Sequence, residues 1–196
     1  MKNQNHPQPG TNLTVEPIRS LRHIKKISKL LADKPRDLLL FTMAINSGIR
    51  TGDLLRLKVS QVRGRKTGDT VWVKERKTGK LNSLAVNKRI HTVLQNFLQK
   101  VQPADDDWVF RSQKTGSHLS TQRVRIMVKQ WCAAIGLRGR FGAHSLRKTF
   151  GYIQRTVYGA PLDVLCERFR HSSQQTTLRY LGITPEEVHN ILMNEI

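Results

Sequence analysis

The stretch Gly142-Ala143-His144-Ser145-Leu146-Arg147-Lys148-Thr149-Phe150 follows a run broken by Gly136, Gly139 and Gly142 and opens a long helix near His144. His144 and Arg147 stand three residues apart, so in a helix both side chains share one face. A helix start, an imidazole and a guanidinium together suit an anionic phosphate. Taken alone, the same pattern also describes a basic surface turn in a strongly positive protein.

Downstream, Leu162 to Phe169, Gln174 to Tyr180 and Pro185 to Met193 read as helices that finish the chain. The stretch Arg170-His171-Ser172-Ser173-Gln174-Gln175-Thr176-Thr177-Leu178-Arg179-Tyr180 sets His171 nine residues before Tyr180 (180 − 171), with Ser172 or Ser173 as a helix cap. A tyrosine hydroxyl ionises near pH 10 and is a weak nucleophile unless cations and a proton acceptor surround it. Its plainer use is a ring in the core with the hydroxyl on water.

Upstream, Ser20 caps a helix with Leu21, Ile24, Ile27, Leu30 and Leu31 on one face. A second helix starts at Pro35, is almost continuously apolar from Leu38 to Ile45, and stops near Gly48. In Asn46-Ser47-Gly48-Ile49-Arg50-Thr51-Gly52-Asp53-Leu54-Leu55, Arg50 falls in the break between two helices, where its guanidinium can leave the core. Thr51 is placed to cap a short helix, and Asp53 to hold Arg50 through a carboxylate pair; a capping ion pair of structural value only is the alternative. Leu57 to Val62, Thr70 to Val73 and Leu81 to Val86 alternate like strands, with Lys77-Thr78-Gly79-Lys80 as the turn between the last two. Asn87 caps a helix carrying Ile90, Val93, Leu94, Phe97 and Leu98, Trp108 to Phe110 form a short apolar piece, and another helix runs from about Ser120 to Ile135. The sum is a mainly α fold with one small antiparallel β-sheet: a loose, flexible lead-in over residues 1–17 and one domain over residues 18–196.

The chain has 34 Lys plus Arg against 14 Asp plus Glu, a formal net charge of +20. Such an excess, spread along the chain, points to a polyanion, and to nucleic acid before a membrane surface or the ribosome. Cys132 and Cys166 have neither disulfide nor metal-ligand spacing and read as reduced core residues. There is no signal peptide pattern and no apolar run of about 18 residues, so a cytoplasmic protein is expected.

In order, Arg50, Lys77, His144 with Arg147, His171 and Tyr180 form a pattern that resembles the phage-integrase family of tyrosine recombinases. The resemblance runs from about residue 18 to the end. Departures are few: Asp53 stands where the family often has Glu, Phe169-Arg170 where it usually has Leu-Gly, and Lys148 where many members carry a second His. Lys74 and Lys80 flank the turn as rivals to Lys77. Members usually carry a further N-terminal helical domain that residues 1–17 are too short to supply, so the chain is either a catalytic fragment or akin to compact single-domain recombinases.

The resemblance implies the catalytic-domain fold of the DNA breaking-rejoining enzymes and a nucleophilic Tyr180 that forms a 3′-phosphotyrosine. It implies Arg50 and Arg147 as phosphate clamps, Lys77 as general acid, His144 and His171 as proton and phosphate partners, and Asp53 in support. Neither metal, cofactor nor ATP is called for. Double-stranded DNA is the implied substrate, with a tetramer assembling on it, an accessory DNA-bending protein as a possible partner, and a nucleoid location. Two other functions fit parts of the pattern: a type IB topoisomerase-like enzyme, and a DNA-binding regulator without catalysis, which should have lost one of the six residues.

Overall fold

The computed structural model describes residues 14–183 and residue 193. α1 (Leu21–Leu30) starts where the Ser20 hydroxyl accepts from the Arg22 amide, and it buries Ile27. α2 (Pro35–Ser47) is buried on almost every side, from Leu38 through Ala44. It lies between α5 (Lys88–Val101) and α7 (Ala143–Thr156), which makes it the central helix of the main core. Gly48 ends α2 at φ 64°, and a Cβ there would lie 2.5 Å from Phe150 Cδ1. Only glycine lets the chain turn so close to α7. Arg50 emerges from that turn as the N-cap of α3 (Thr51–Leu54); Thr51, expected as the cap, is the first helical residue, and its hydroxyl donates to the Ala143 carbonyl at 3.0 Å.

Leu57 to Val62 is not the strand its alternation suggested. Lys58 forms a single bridge with Trp108, and Val59–Val62 turn into the short helix α4. The Ser60 and Val59 amides donate to the Asp105 and Asp107 carbonyls, and Gln61 Oε1 accepts from the Lys58 amide. Val59 and Val62 are both buried at helical spacing, so tertiary packing outweighs the local period of two. The sheet is therefore two-stranded: β1 (Thr70–Lys74) pairs antiparallel with β2 (Leu81–Ala85), Val71 opposite Leu84 and Val73 opposite Asn82. A lone hairpin is marginal in water. This one is anchored by Arg168, which donates to Asn82 Oδ1 and to the Ser83 carbonyl, each at 2.8 Å, and to the Ser47 carbonyl.

Asn87 caps α5 and Ser120 caps α6 (Thr121–Ala134), as their sequences predict. After α7 come α8 (Leu162–Phe169) and α9 (Gln174–Leu181), the latter capped by Ser173. A second, smaller core of Leu165, Phe169 and Leu181 joins them, with Phe150 and Tyr180 against it. Gly151 makes this closeness possible: a Cβ there would lie 2.5 Å from Leu181 Cδ2 and 2.6 Å from Phe169 Cζ.

The end of the expected lead-in is not loose. The Glu16 amide donates to the Arg140 carbonyl at 2.8 Å, Pro17 is buried, and the Ile18 amide donates to Thr149 Oγ1 at 2.8 Å. Residues 1–13 and the helix expected from Pro185 lie outside the described residues. Among the described residues no helix is long and apolar enough to cross a membrane.

Candidate active site

Arg147 sits on the core-facing side of α7 and is 4% exposed. One guanidinium nitrogen donates to the Phe169 carbonyl at 3.0 Å, the group lies 5.0 Å over the Phe169 ring, and its Nε has no partner. Burial pushes its pKa down; the Tyr180 and Glu75 charges act against that fall, those of Arg50 and Arg168 with it. Tyr180, near the end of α9, completes an aromatic cluster. Its ring centroid lies 5.3 Å from Phe169 and 5.0 Å from His171, and Lys148 Nζ stands 5.1 Å from the ring. Burial raises the Tyr180 hydroxyl above its ordinary value, while the charges of Arg147 and Arg50 oppose the rise.

His171 is oriented by α9. Its Nδ1 lies 3.0 Å from Thr177 Oγ1, which donates on to the Ser173 carbonyl at 3.4 Å. That chain makes Nδ1–H the donor in neutral His171 and leaves Nε2 as an acceptor. Burial and the charges of Arg147 and Arg50 lower its pKa. His144 stands exposed at the opening of α7. Partial burial lowers its pKa, and the charges of Arg147, Lys148 and Arg50 add to the effect.

Arg50, Lys77 and His144 line one groove of about 540 Å³, with Asp53, Arg76 and Arg125 on its walls. Lys74 and Lys80 do not line it. The structure thus joins Arg50, Lys77 and His144 through the groove, while the charges of Arg50 and Arg147 both act on His171 and Tyr180, whose rings touch. A larger cavity of about 800 Å³, between the start of α2 and the end of α5, holds none of them.

Asp53 does not hold Arg50. Its Oδ1 accepts from the Arg76 amide at 3.0 Å, tying α3 to the hairpin turn, and its Oδ2 is unpartnered. The counter-ion of Arg50 is Glu75: Arg50 Nη1 lies 3.0 Å from Glu75 Oε1. That nitrogen makes no directed hydrogen bond, and with Asp53 Oδ2 and Arg147 Nε it is one of three buried unpartnered side-chain atoms among the described residues. Leaving such a group unsatisfied costs about 1–3 kcal/mol. Two of the three belong to guanidinium groups, Arg50 and Arg147, whose charges both act on the Tyr180 hydroxyl.

Sequence reasoning passed over Glu75, although β1 carries its signal: Val71 and Val73 face the core, and the same alternation carries Glu75 inward. An acid on an inward position of a very basic chain marks a buried counter-ion. Among the described residues no three His, Cys, Asp or Glu side chains gather in a metal-binding group.

The model of the phage integrase family matches residues 12–187. The chain belongs to that family. It is 34% identical to the probable integrase/recombinase YoeC of Bacillus subtilis over 172 residues, 86% of this chain and 90% of that protein. Against the tyrosine recombinase XerA of Pyrococcus furiosus it is 26% identical over 90% of its own length and 59% of the relative's. It therefore spans nearly all of the first relative and well under two thirds of the second. Among solved structures, XerA recombinase gives a TM-score of 0.74 at 18% identity, covering 93% of this chain and 68% of that one. XerH bound to a palindromic difH substrate in a post-cleavage complex gives 0.73 at 20% identity, covering 96% and 55%. At those identities the superpositions establish the fold, and it is the mainly α, small-sheet tyrosine recombinase catalytic domain that the sequence suggested.

Proposed function

We propose that the chain is a site-specific DNA recombinase that cleaves and rejoins duplex DNA through a covalent bond to Tyr180. The supporting observation is the convergence of the Arg50 and Arg147 charges and the His171 ring on one half-buried phenol, with Arg50 Nη1 and Arg147 Nε buried and without hydrogen-bond partners. In this reading Tyr180 Oη attacks the scissile phosphorus, the bond from phosphorus to the 5′-oxygen breaks, and a 3′-phosphotyrosine forms. Arg50 and Arg147 neutralise the charge that grows on the non-bridging oxygens; one well-placed arginine is worth about 10³–10⁵ in phosphoryl transfer.

His144, whose pKa is lowered by burial and by the charges of Arg147, Lys148 and Arg50, takes the phenolic proton. Lys77 gives a proton to the departing 5′-oxygen. The incoming phosphate raises the pKa of His171, so its Nε2 becomes a donor while Thr177 holds Nδ1. Rejoining runs the same steps backward with the 5′-hydroxyl of another duplex, so the ester bond energy is kept and no ATP is consumed. The proposal includes assembly of a tetramer on DNA, with an accessory DNA-bending protein, at the nucleoid in the cytoplasm.

The test uses duplexes carrying paired copies of the site that the protein selects from a randomised pool, in EDTA. Exchanged products and protein–DNA adducts are expected, both lost in Tyr180→Phe with DNA binding kept. Relaxation without exchanged products would instead indicate a topoisomerase, and adducts persisting in Tyr180→Phe would remove Tyr180 from the role.

A further inference from the structure

Glu75 is 1% exposed, an unusual place for a carboxylate, and every part of it is engaged. Oε1 accepts from Asn82 Nδ2 at 2.9 Å and lies 3.0 Å from Arg50 Nη1. Oε2 accepts from the Thr78 hydroxyl at 2.7 Å and lies 3.3 Å from Arg170 Nη1. Burial alone would raise this carboxyl, but the Thr78 and Asn82 hydrogen bonds and the Arg50 and Arg170 charges bring it from 4.5 down to about 2.

Arg170 reaches this place by a special backbone. It closes α8 in the left-handed region, at φ 53°, and also donates to the Leu81 carbonyl at 2.7 Å. The Glu75 carboxylate thus joins three segments that carry the site: the helix break with Arg50, the hairpin with Lys77, and the turn that leads from α8 to His171 and Tyr180. Its charge also reaches Arg147, whose protonated form it favours.

We infer that Glu75 is the positioning residue for the phosphate-binding arginines, with Arg170 as its anchor on the far side. The alternative is a plug, a carboxylate sitting where the phosphate must go and leaving when DNA arrives. Two observations favour the clamp. Glu75 is fixed to its own hairpin by Thr78 and Asn82, so it has no easy way out. Arg50 touches it with a single nitrogen whose N–H is not directed at it, so the guanidinium keeps its donors for another acceptor. A plug would have taken those donors.

The inference rests on the strand-cleavage reading, and single-turnover trapping on a nicked duplex separates the two. With the wild-type protein, adducts must form; none at all would reject the reading itself and the inference with it. Given wild-type adducts, Glu75→Gln should slow their formation by about 10²-fold, the scale of an ångström of misplacement, with DNA affinity by fluorescence anisotropy within about threefold of wild type. Arg170→Gly relaxes the positive φ and so removes the guanidinium without straining the turn; it should slow trapping about tenfold. The double variant should be no slower than Glu75→Gln, because both changes act through one carboxylate. Trapping by Glu75→Gln at or above the wild-type rate, wild-type trapping by Arg170→Gly, or losses that simply multiply would each overturn the clamp. If Glu75→Gln does not fold, Arg170→Gly alone decides.

Discussion

Gly151→Ala tests how closely the site depends on helix packing. The added methyl would stand 2.5 Å from Leu181 Cδ2 and 2.6 Å from Phe169 Cζ, against an ordinary carbon–carbon contact of about 3.5–4.0 Å. Phe169 and Leu181 are both fully buried, so neither can swing into solvent. Relief requires α8 and α9 to move away from α7 by about 1 Å. Overpacking of this size costs about 1–3 kcal/mol, which in a domain of this length lowers Tm by about 2–12 °C. The same movement withdraws Tyr180 on α9 from Arg147 on α7, and an ångström of misplacement costs about 10²-fold in rate. We therefore expect adduct trapping, measured well below the new Tm, to fall by about 10²-fold while DNA affinity stays near wild type. A Gly151→Ala protein with unchanged Tm and unchanged trapping would refute the packing argument.

Arg147→Ala should reduce trapping by at least about 10²-fold with a smaller change in DNA affinity; trapping within about fivefold of wild type would contradict its clamp role. Lys77→Ala should block cleavage of an ordinary nicked duplex but not of one whose leaving 5′-oxygen is replaced by sulfur, which departs without a proton, whereas Lys74→Ala and Lys80→Ala should cleave both. Stability should fall with acid in two steps. His144 and His171 are lowered in the fold, so their contribution is present above about 6.5 and lost below it, and Glu75, lowered from 4.5 to about 2, adds a second loss between those values. A Tm that is flat from pH 7 to pH 5, or a fall that persists in the His144→Ala, His171→Ala double variant, would count against the first step. Tyr180 is raised, so its contribution is lost only above about pH 10, as the unfolded phenol ionises.

The helices of this chain were legible because capping and apolar spacing agree: Ser20, Asn87, Ser120 and Ser173 each accept an amide at the helix start. Leu57 to Val62 misled because Leu57 and Val59 are buried in strand-like alternation, while the packing of Val62 and the carbonyls of Asp105 and Asp107, distant in sequence, turn the segment into helix. The six candidate side chains could be named because their order along the chain resembles the family's pattern. Their supports could not, since these come from segments that meet only in the fold. Glu75 takes over the partnership that local sequence assigned to Asp53, Thr177 orients His171, and Phe169 lies between Arg147 and Tyr180. Arg170 illustrates the limit well. In sequence it is a departure from the usual Leu-Gly, and only the folded chain reveals that a non-glycine residue adopts the left-handed cap and reaches the hairpin.

The most direct measurement is mass mapping of the protein–DNA adduct trapped on a nicked duplex in EDTA. Attachment of the 3′-phosphate to the peptide that contains Tyr180, and its disappearance in Tyr180→Phe, is the predicted result. Attachment at another residue, or cleavage that needs a divalent cation and leaves no protein on the DNA, would contradict the account.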